Sequence, residues 1–294
     1  MRIFMAGGTG FVGRHVRQAL LAKGHTVRLL VHKRSAGVEP GEEEVEGDVT
    51  MPPSFIEALK GCDATINLVG IIREFPRRNV TFERLHVEAT RNLISAAKHA
   101  GIGRHLQMSA LGATAESSSG YFRSKYVAER ELHSSGLDFT IFRPSIIFGP
   151  KDDFVNKLAG LMRMLPAMPV IGDGTYQLQP ISANDVAHCF AEALELPETI
   201  GETYELCGPD RMSYNTLLDS IGEVIKRQNV VKVHNPLALM QLIVPVMEHF
   251  SFFPITSDQI TMLVQGNTCD GSWRKTFSCQ PTGFEEGIRA YLKP

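Results

Sequence analysis

The first 150 residues alternate short apolar runs with longer segments in which apolar residues recur every three or four positions. The short runs predict strands and the longer segments predict helices, an alternation typical of βαβ units around a parallel sheet. The predicted strands are residues 2–6, 26–31, a short one around Val45, 64–69, 104–108 and 139–143. The predicted helices are residues 11–23, 81–100 and 121–134.

Beyond residue 150 the pattern changes to helices separated by loops, with one further strand at 202–207. The predicted helices are 152–165, 184–194 with Asn184 as its N-cap, 214–227, 237–250 and 257–264. This organisation predicts the α/β class, with a doubly wound parallel sheet and a smaller, mainly helical C-terminal lobe. We expect the sheet domain in 1–150, completed by 175–210, and the lobe in 151–174 and 211–294.

Composition narrows the class of protein. Of the 294 residues 43% are hydrophobic and 21% are charged, which is typical of a soluble globular chain and argues against disorder. Thirty basic residues face 32 acidic ones, so no overall positive field recruits nucleic acid and we expect no such partner. No His and Cys spacing suits zinc, and we expect no metal.

The cysteines bear on the cellular compartment. Five cysteines form no CxxC pair, and an odd, scattered set favours reduced thiols in a cytoplasmic protein. A bridge between Cys269 and Cys279 is the less favoured alternative. The chain enters a glycine motif at residue 7, which predicts no cleavable leader. The longest apolar stretch, 237–247 with a weak extension to 253, is shorter than the ~20 residues of a membrane helix.

A glycine-rich turn follows the first predicted strand and opens the first predicted helix. Its spacing is G-x-x-G-x-x-G, at Gly7, Gly10 and Gly13. Gly7 permits the tight turn, Gly10 lets a diphosphate approach the backbone, and Gly13 lets the helix pack on the sheet. The helix N-terminus offers free N–H groups to the phosphates. The turn therefore predicts a dinucleotide site, to which Thr9, Phe11 and Val12 also belong; a purely structural turn is the alternative.

The end of the second strand bears on cofactor choice. NAD-specific sites usually carry an acid there to bind the ribose 2′-hydroxyl. Here Val31 is followed by His32, Lys33 and Arg34. An arginine can bind a 2′-phosphate through two parallel hydrogen bonds. The sequence favours NADP(H) over NAD(H), with a solvated basic loop as the alternative interpretation.

Two further segments fit the adenosine end of a dinucleotide. Asp48 and Val49 follow the third strand, where Asp48 could accept a hydrogen bond from the adenine amino group. Leu68, Val69 and Gly70 end the fourth strand, where the backbone would pass the adenosine. A turn and a buried strand end are the respective alternatives.

Tyr121 and Lys125 lie four residues apart on a predicted helix and therefore share a face. Ser109 ends the fifth strand, twelve residues earlier. A tyrosine titrates near ~10, so a neighbouring ammonium and a positive nicotinamide are needed to lower its pKa. The phenol can then exchange a proton with a substrate oxygen that Ser109 holds, while Lys125 also binds the nicotinamide ribose. The alternative is a surface Tyr–Lys pair.

These residues carry a family resemblance. The turn at 7–13, Ser109, the segment 121–125 (YFRSK) and Arg143-Pro144-Ser145 resemble the short-chain dehydrogenase/reductase superfamily, in its atypical, extended-like branch. The similarity is closest to the group that contains the NADPH-binding accessory subunit of respiratory complex I (NAD-dependent epimerase/dehydratase-like). It continues through nearly the whole chain, at 109–113, 121–129, 143–152, 179–181, 185–187 and 256–259.

The resemblance implies a Rossmann-like domain and a small C-terminal substrate lobe, with NADP(H) bound between them and Pro144 among the cofactor contacts. It leaves activity open, because the complex I subunit holds its nucleotide without turnover whereas bacterial relatives are described as oxidoreductases or epimerases. Extended members often carry Asn in the long helix that faces the active site. This chain has His86 there, for which hydrogen bonding and packing are both open.

The leading hypothesis is an NADP(H)-dependent oxidoreductase that acts on a carbonyl or quinone-like apolar substrate. One alternative is a non-catalytic NADP(H)-binding redox sensor or accessory subunit of a respiratory-type complex. Another is a sugar-nucleotide epimerase or dehydratase, which the Leu, Met and Phe content of the lobe disfavours. The apolar segment 236–254 is interpreted as core, with a ligand entrance or membrane contact as alternatives. A protein-complex partner and peripheral membrane contact both stay open.

Overall fold

The computed structural model describes residues 1–34, 38–227, 229–248 and 255–293. The strands are β1 (Arg2–Ala6), β2 (Thr26–Val31), β3 (Glu42–Glu46), β4 (Ala64–Asn67), β5 (Arg104–Met108), β6 (Asp138–Pro144), β7 (Ile147–Phe148), β8 (Met168–Ile171), β9 (Gln177–Leu178), β10 (Ile181–Ser182), β11 (Glu202–Leu206), β12 (Met212–Ser213) and β13 (Lys232–Asn235). The α-helices are α1 (Phe11–Ala22), α2 (Ala89–His99), α3 (Gly120–His133), α4 (Val155–Met164), α5 (Ala183–Ala193), α6 (Tyr214–Val224), α7 (Leu237–Met247), α8 (Ser257–Val264) and α9 (Phe284–Arg289).

The chain divides into two compact units. The first consists of Met1–Pro144, Asn184–Glu205 and Ser272–Cys279. The second consists of Ser145–Ala183, Leu206–Gly271 and Gln280–Pro294. The units differ from the expected bounds. Residues 272–279, expected in the C-terminal lobe, lie in the first unit, and residues 145–150, 175–183 and 206–210, expected in the sheet domain, lie in the second.

The first unit is built on a seven-stranded sheet of order β11-β6-β5-β4-β1-β2-β3. Across the sheet, from β6 at one side to β3 at the other, each strand pairs in parallel with the next. β1 is therefore paired to both β2 and β4. Ala6 lies opposite Leu30 on one side and Asn67 on the other, so these strands end at the same edge. The predicted α/β, Rossmann-like, doubly wound sheet is confirmed.

Apolar side chains on the faces of this sheet form the core of the first unit. Residues 3–5 of β1 are fully buried. Helix α1 buries Val16 and Leu20, which lie four residues apart and therefore on one face. Helix α2 contributes Leu93 to a cluster with Phe4 and Leu59. The sheet is thus covered by helices whose apolar spacing matches the helical period.

The second unit contains three two-stranded pairs and a helical core. β7 pairs with β10 and β8 with β13 in parallel, whereas β9 pairs with β12 in the antiparallel direction. Leu217 and Ile221 of α6 pack in one cluster with Leu158 of α4 and Ile288 of α9. These helices supply most of the buried apolar side chains of this cluster.

Several predicted helices differ from the structure. The helices expected over 152–165 and 214–227 are shorter, at Val155–Met164 and Tyr214–Val224. The helix expected over 81–100 begins as a π-helix, Glu83–Glu88, before α2. Asn184 is not an N-cap, because α5 already begins at Ala183. The helix expected over 237–250 ends at Met247, and residues 249–250 lie outside the described residues. The predicted strand at 202–207 is present as β11.

Helix α7 exposes most of its apolar side chains. Only Val244 is buried, in a cluster with Ile171 and Ile260, whereas Leu242 is 74% exposed. The expectation that this segment is core is wrong for most of α7, and residues 249–254 lie outside the described part of the chain. Among the described residues, no helix combines the length and the hydropathy needed to cross a bilayer.

Two cysteines of the second unit form a disulfide. Cys207 and Cys269 are bonded, so the expectation of five reduced thiols is wrong for this pair. The alternative bridge between Cys269 and Cys279 is also wrong, because Cys279 is a free thiol, as are Cys62 and Cys189. The pairing depends on a tertiary approach of segments 62 residues apart, which sequence spacing does not show.

Candidate functional site

The first position of the turn between β1 and α1 accommodates only glycine. Gly7 has a φ of +80°, in the left-handed region. A Cβ at this residue would lie 2.6 Å from the carbonyl carbon of Leu68. The amide of Gly10 donates to the carbonyl of Gly7 at 3.2 Å and closes the turn. The turn therefore rests directly on the backbone that follows β4.

Two further glycines allow close packing. A Cβ at Gly13 would lie 2.4 Å from the carbonyl oxygen of Gly7, so α1 can approach the turn only without a side chain there. At Gly8 a Cβ would lie 2.5 Å from Cδ2 of Leu29 on β2. Gly8 was not singled out from the sequence, because the three-glycine spacing does not include it.

Gly10 differs from these glycines because its Cβ position is less crowded. Within 4 Å, the only atom of the described residues that a Cβ here would meet is the carbonyl oxygen of Gly7, at 3.3 Å. Gly10 is the N-cap of α1 and supplies no side-chain hydrogen bond. The first N–H groups of a helix lack intrahelical partners and favour anions. Open backbone beside such amides fits the approach of a diphosphate.

The predicted 2′-phosphate residues are exposed at the end of β2. His32, Lys33 and Arg34 are all exposed, and Arg34 is the last residue described before position 38. The amide of Gly47 donates to the carbonyl of Val31 at 2.9 Å, so the segments that follow β2 and β3 lie side by side. These basic residues therefore adjoin the loop that contains Asp48.

Asp48 is engaged within its own loop. Its Oδ1 accepts from both the amide and the hydroxyl of Thr50, each at 2.8 Å. Burial acts to raise the pKa of Asp48, but the hydrogen bonds from Thr50 and the nearby His32 and Arg84 outweigh it, so the pKa is lowered. Arg84 also donates to the Thr50 hydroxyl at 3.0 Å. These contacts fix the shape of the loop that contains Val49.

The segment after β4 connects the glycine turn with helix α3. Leu68 lies against Gly7, and Asn67 Oδ1 accepts from the amide of Val69 at 3.1 Å. Two residues on, a Cβ at Gly70 would lie 3.1 Å from Lys125 Nζ. The predicted dinucleotide turn and the predicted catalytic lysine are therefore in contact with the same short loop.

Helix α3 holds Tyr121 and Lys125 one turn apart. Ser119 caps the helix by accepting from the amide of Phe122. Lys125 is only 4% exposed, and its Nζ donates to the carbonyl of Met108 at 3.3 Å. Burial lowers the pKa of Lys125 to about 8, against the opposing effect of Glu129. An ammonium group is thus held in a largely dehydrated position.

Burial determines the pKa of Tyr121 in the chain alone. Burial raises the pKa of Tyr121 to about 12. Lys125 Nζ lies 6.0 Å from the centroid of the tyrosine ring, and desolvation of the phenol is the effect that decides the shift. In the chain alone, the phenol therefore stays protonated throughout the neutral range.

Ser109 carries a buried hydroxyl with an unused hydrogen-bonding capacity. The residue is 3% exposed, and among the described residues its Oγ has no hydrogen-bond partner. An unsatisfied buried hydroxyl costs roughly 1–3 kcal/mol. Ser109 directly follows Met108, whose carbonyl accepts from Lys125. Beside this segment, the amide of Leu111 donates to the carbonyl of Pro144 at 2.9 Å.

His86 lies within the same cluster of side chains. Its Nδ1 lies 2.8 Å from Ser124 Oγ, and its Nε2 accepts from the amide of Ile71 at 3.1 Å. Burial, together with the charge of Lys125, lowers the pKa of His86 to about 2. The structure shows both of the roles left open for this residue, hydrogen bonding and packing.

The signals for the remaining contacts were weak in the sequence. Asn67 is a polar residue at the end of an otherwise apolar strand, and such a residue often binds neighbouring backbone. Glu129 lies four residues after Lys125, a spacing that places the two side chains on one helix face. Arg84 has no distinctive local pattern.

Among the described residues, no group of three or more His, Cys, Asp and Glu could hold a metal ion.

Residues 7–197 match the model of a protein family described as NAD(P)H-binding. The chain belongs to the NAD(P)H-binding family. The match begins at the first glycine of the turn and includes Ser109, Tyr121 and Lys125. The family establishes the class of cofactor, a nicotinamide dinucleotide, and leaves the choice between NAD(H) and NADP(H) undetermined.

Curated relatives of this NAD(P)H-binding protein include a respiratory subunit and a reductase. The chain is 33% identical to Arabidopsis thaliana NADH dehydrogenase (ubiquinone) 1 alpha subcomplex subunit 9, mitochondrial, over 89% of its own length and 67% of the relative's. It is 30% identical to ceramide reductase of Caulobacter vibrioides, over 67% of its length and 63% of the relative's. The chain thus spans about two thirds of these proteins.

Solved structures share the fold. A nucleoside-diphosphate-sugar epimerase from Staphylococcus aureus superposes with a TM-score of 0.78, over 98% of this chain and 100% of that one. The two sequences are 20% identical, so the likeness concerns the fold alone. It shows that the NAD(P)H-binding protein has a Rossmann-like fold.

Proposed function

We propose that the protein is an NADP(H)-dependent oxidoreductase that reduces a carbonyl or quinone-like apolar substrate. The observation that carries the proposal is the buried Ser109 hydroxyl, which has no partner among the described residues. It adjoins the segment that Lys125 contacts. A substrate oxygen would satisfy this hydroxyl, as expected of a group that orients a reacting carbonyl.

The nicotinamide, when bound, supplies the hydride. The phenol of Tyr121 donates its proton to the substrate oxygen, and Ser109 Oγ donates a hydrogen bond to the same oxygen. A pKa of about 12 keeps Tyr121 protonated near pH 7, which suits a proton donor in the direction of reduction. Lys125 places a cation beside the phenol ring of Tyr121 and binds the ribose of the cofactor.

The cofactor contacts of the proposal lie along one edge of the sheet. Gly7, Gly10 and Gly13 with Thr9, Phe11 and Val12 hold the diphosphate. The 2′-phosphate is bound by His32, Lys33 and Arg34. The adenine lies at Asp48 and Val49. The rest of the dinucleotide lies along Leu68, Val69, Gly70 and Pro144. The exposed basic residues and the open backbone at Gly10 support this assignment.

An apolar substrate is supported by the similarity to ceramide reductase, whose name specifies a lipid substrate. The experiment is a panel of quinones and carbonyl compounds with NADPH, in which oxidation is followed by absorbance for the wild type and Tyr121→Phe. We expect one or more substrates to be turned over, and Tyr121→Phe to lose roughly 100-fold or more in rate.

The matched control is Tyr126→Phe, on the same helix and partly exposed, which should keep its rate within about 2-fold. Equal activity of Tyr121→Phe and the wild type would contradict the catalytic assignment.

A non-catalytic NADP(H)-binding accessory subunit is the second candidate. It is favoured by the identity to a protein named as a respiratory subunit over 89% of this chain. This candidate predicts NADPH affinity in the micromolar range or better, no turnover of any panel substrate, and no cellular phenotype of Tyr121→Phe. Deletion of the whole chain should then lower the amount of an assembled complex, measured on native gels.

A further inference from the structure

We infer that His86 is a positioning residue of the Tyr121–Lys125 site, acting as a neutral imidazole with its hydrogen on Nδ1. In this state it fastens the loop that follows β4 to helix α3. The inference rests on the proposed function, because it concerns how the cofactor loop and the reacting side chains are held together.

The first contact fixes the tautomer of the ring. Nε2 of His86 lies 3.1 Å from the amide nitrogen of Ile71. A backbone amide can only donate, so Nε2 must accept and must lack a hydrogen. A neutral imidazole with a bare Nε2 carries its hydrogen on Nδ1.

The second contact agrees with this assignment. Ser124 Oγ donates its hydrogen to the carbonyl of Tyr121 at 2.7 Å. Its lone pairs are then available to His86 Nδ1–H at 2.8 Å. Donors and acceptors therefore alternate without conflict from Ile71 through His86 and Ser124 to Tyr121. This series of hydrogen bonds joins the loop after β4 to the first turn of α3.

Aromatic packing holds the ring plane. Phe82 stacks on His86 with 5.3 Å between ring centroids, and Tyr121 meets it edge-on at 5.5 Å. His86 is 1% exposed, so bulk water does not replace either hydrogen bond. The residue lies in the π-helix Glu83–Glu88, a type of segment that is frequent at functional sites.

The loop that His86 holds is in contact with the reacting lysine. The Cβ position of Gly70 is 3.1 Å from Lys125 Nζ and 3.7 Å from His86 Nε2. Leu68, two residues earlier, lies against the glycine turn. Release of Ile71 from His86 therefore allows this loop to shift relative to both Lys125 and the dinucleotide turn.

His86 is poorly placed to transfer protons. Lys125 and Tyr121 are the titratable groups that face it from α3, and Glu83, Arg84 and Glu88 share its own segment. Protonation would place an N–H on Nε2 against the N–H of Ile71, next to the ammonium of Lys125. The imidazole should therefore remain neutral over the whole range in which the fold persists.

The first test reads the tautomer and is independent of catalysis. Two-bond ¹H–¹⁵N correlation spectra of the full chain, labelled at histidine, identify which ring nitrogen bears the hydrogen, with His86→Asn used for assignment. We expect the Nδ1–H neutral form from pH 7 down to pH 5. An Nε2–H tautomer, or an imidazolium near pH 6, would overturn the inference.

The second test measures NADPH affinity. His86→Phe keeps an aromatic ring but removes the acceptor for Ile71, and we expect roughly 10-fold weaker NADPH binding. His86→Asn restores an acceptor and should recover binding to within about 3-fold of the wild type. His25→Asn is the control, because His25 is also buried but precedes β2, at the opposite edge of the sheet.

The outcomes separate this inference from the proposed function. If His86→Phe binds NADPH as tightly as the wild type, the positioning role is wrong. If His86→Phe does not fold, Ser124→Ala is the second variant, because it removes the hydroxyl that binds His86 Nδ1. It should weaken NADPH binding roughly 3-fold, and unchanged binding contradicts the inference. If the wild type binds no NADPH, the proposed function fails, and the NMR result still decides the tautomer.

Discussion

Lys125 is a buried cation whose position costs stability. It is 4% exposed, and burial lowers its pKa from an ordinary value of 10.5 to about 8. A folded protein keeps such a residue at the expense of the free energy of unfolding, which makes a functional reason for it more plausible. The carbonyl of Met108 and the nearby Glu129 offset part of the cost.

The pKa of Lys125 predicts a pH-dependent stability. Between pH 8 and 10.5 the unfolded chain binds more protons than the folded chain, so this residue makes the free energy of unfolding rise with pH. The full shift corresponds to about 3 kcal/mol. Lys125→Met should lack this rise, as measured by urea unfolding of both proteins from pH 7 to 10.

The difference between the two proteins is the quantity to compare, because Tyr121 and the free thiols, whose pKa values are raised in the folded chain, lower stability as pH rises through the upper part of this range. These groups are present in both proteins and cancel in the difference. If the two stability curves run parallel between pH 8 and 10, the lowered pKa of Lys125 is wrong.

A second prediction at this scale concerns the basic residues after β2. Replacing Lys33 and Arg34 by alanine should weaken NADPH binding roughly 10-fold or more and leave NADH binding within about 2-fold, since charge-assisted hydrogen bonds are worth roughly 1.5–3 kcal/mol. Calorimetric titration of both cofactors measures this.

The control for that charge change is Arg77→Ala with Arg78→Ala, a pair of exposed arginines in the same unit. It removes the same net charge and should leave both affinities unchanged. Equal weakening of NADPH and NADH by the Lys33 and Arg34 substitutions would overturn the 2′-phosphate assignment.

Sequence spacing could identify the side chains of the proposed catalytic pair but not their electrostatics. Tyr121 and Lys125 share a helix face because they are four residues apart. Their pKa values depend on which side chains cover them, and Phe82 and His86 are brought to Tyr121 from a segment about 40 residues earlier. The unused hydroxyl of Ser109 likewise becomes evident only when its surroundings are known.

At the scale of elements, the glycine turn is defined by contacts with a neighbouring strand end. Its spacing in the sequence indicated the tight turn at Gly7 and the close packing at Gly13, and both have the expected geometry. The contact of Gly7 with Leu68 was not evident, because it depends on the pairing of β1 with β4.

Gly7→Ala should damage this element severely. The substitution combines a left-handed backbone with a 2.6 Å approach to Leu68, and we expect a loss of at least ~2 kcal/mol in the free energy of unfolding. Gly24→Ala is the matched control. Gly24 has a φ of +77°, but no atom of the described residues lies within 4 Å of its Cβ position, so roughly 1 kcal/mol should be lost. Equal losses in urea unfolding would contradict the contact with Leu68.

Apolar patterns located the strands well and the helix ends less well. β2 has the predicted bounds because its apolar run ends where polar residues begin, at His32. The bounds of β5 are also as predicted, although its apolar residues Leu106 and Met108 alternate with polar ones. The π-helix at Glu83–Glu88 was not predicted, since one wider turn leaves the apolar spacing of a helix nearly unchanged. Asn184 was misread because N-cap preference is a local signal, and the adjoining residues already continue the helix.

At the scale of the whole molecule, the alternation of strands and helices was sufficient to predict the fold class. It could not assign residues 272–279 to the first unit or pair Cys207 with Cys269, because both depend on contacts between distant segments. The exposed apolar side chains of α7 show a further limit. An apolar helix is usually buried, and burial depends on neighbours that hydropathy alone does not reveal.

The central claim is that the protein binds NAD(P)H at the turn between β1 and α1. The most direct measurement is calorimetric titration of the purified chain and of Gly10→Val with NADPH. Gly10 has extended backbone angles, and its Cβ position lies 3.3 Å from the carbonyl oxygen of Gly7, so valine should require only a small shift of that oxygen while blocking the diphosphate. The account predicts one NADPH per wild-type chain and at least ~100-fold weaker binding to Gly10→Val. Absence of binding to the wild type, or equal binding to both proteins, would contradict it.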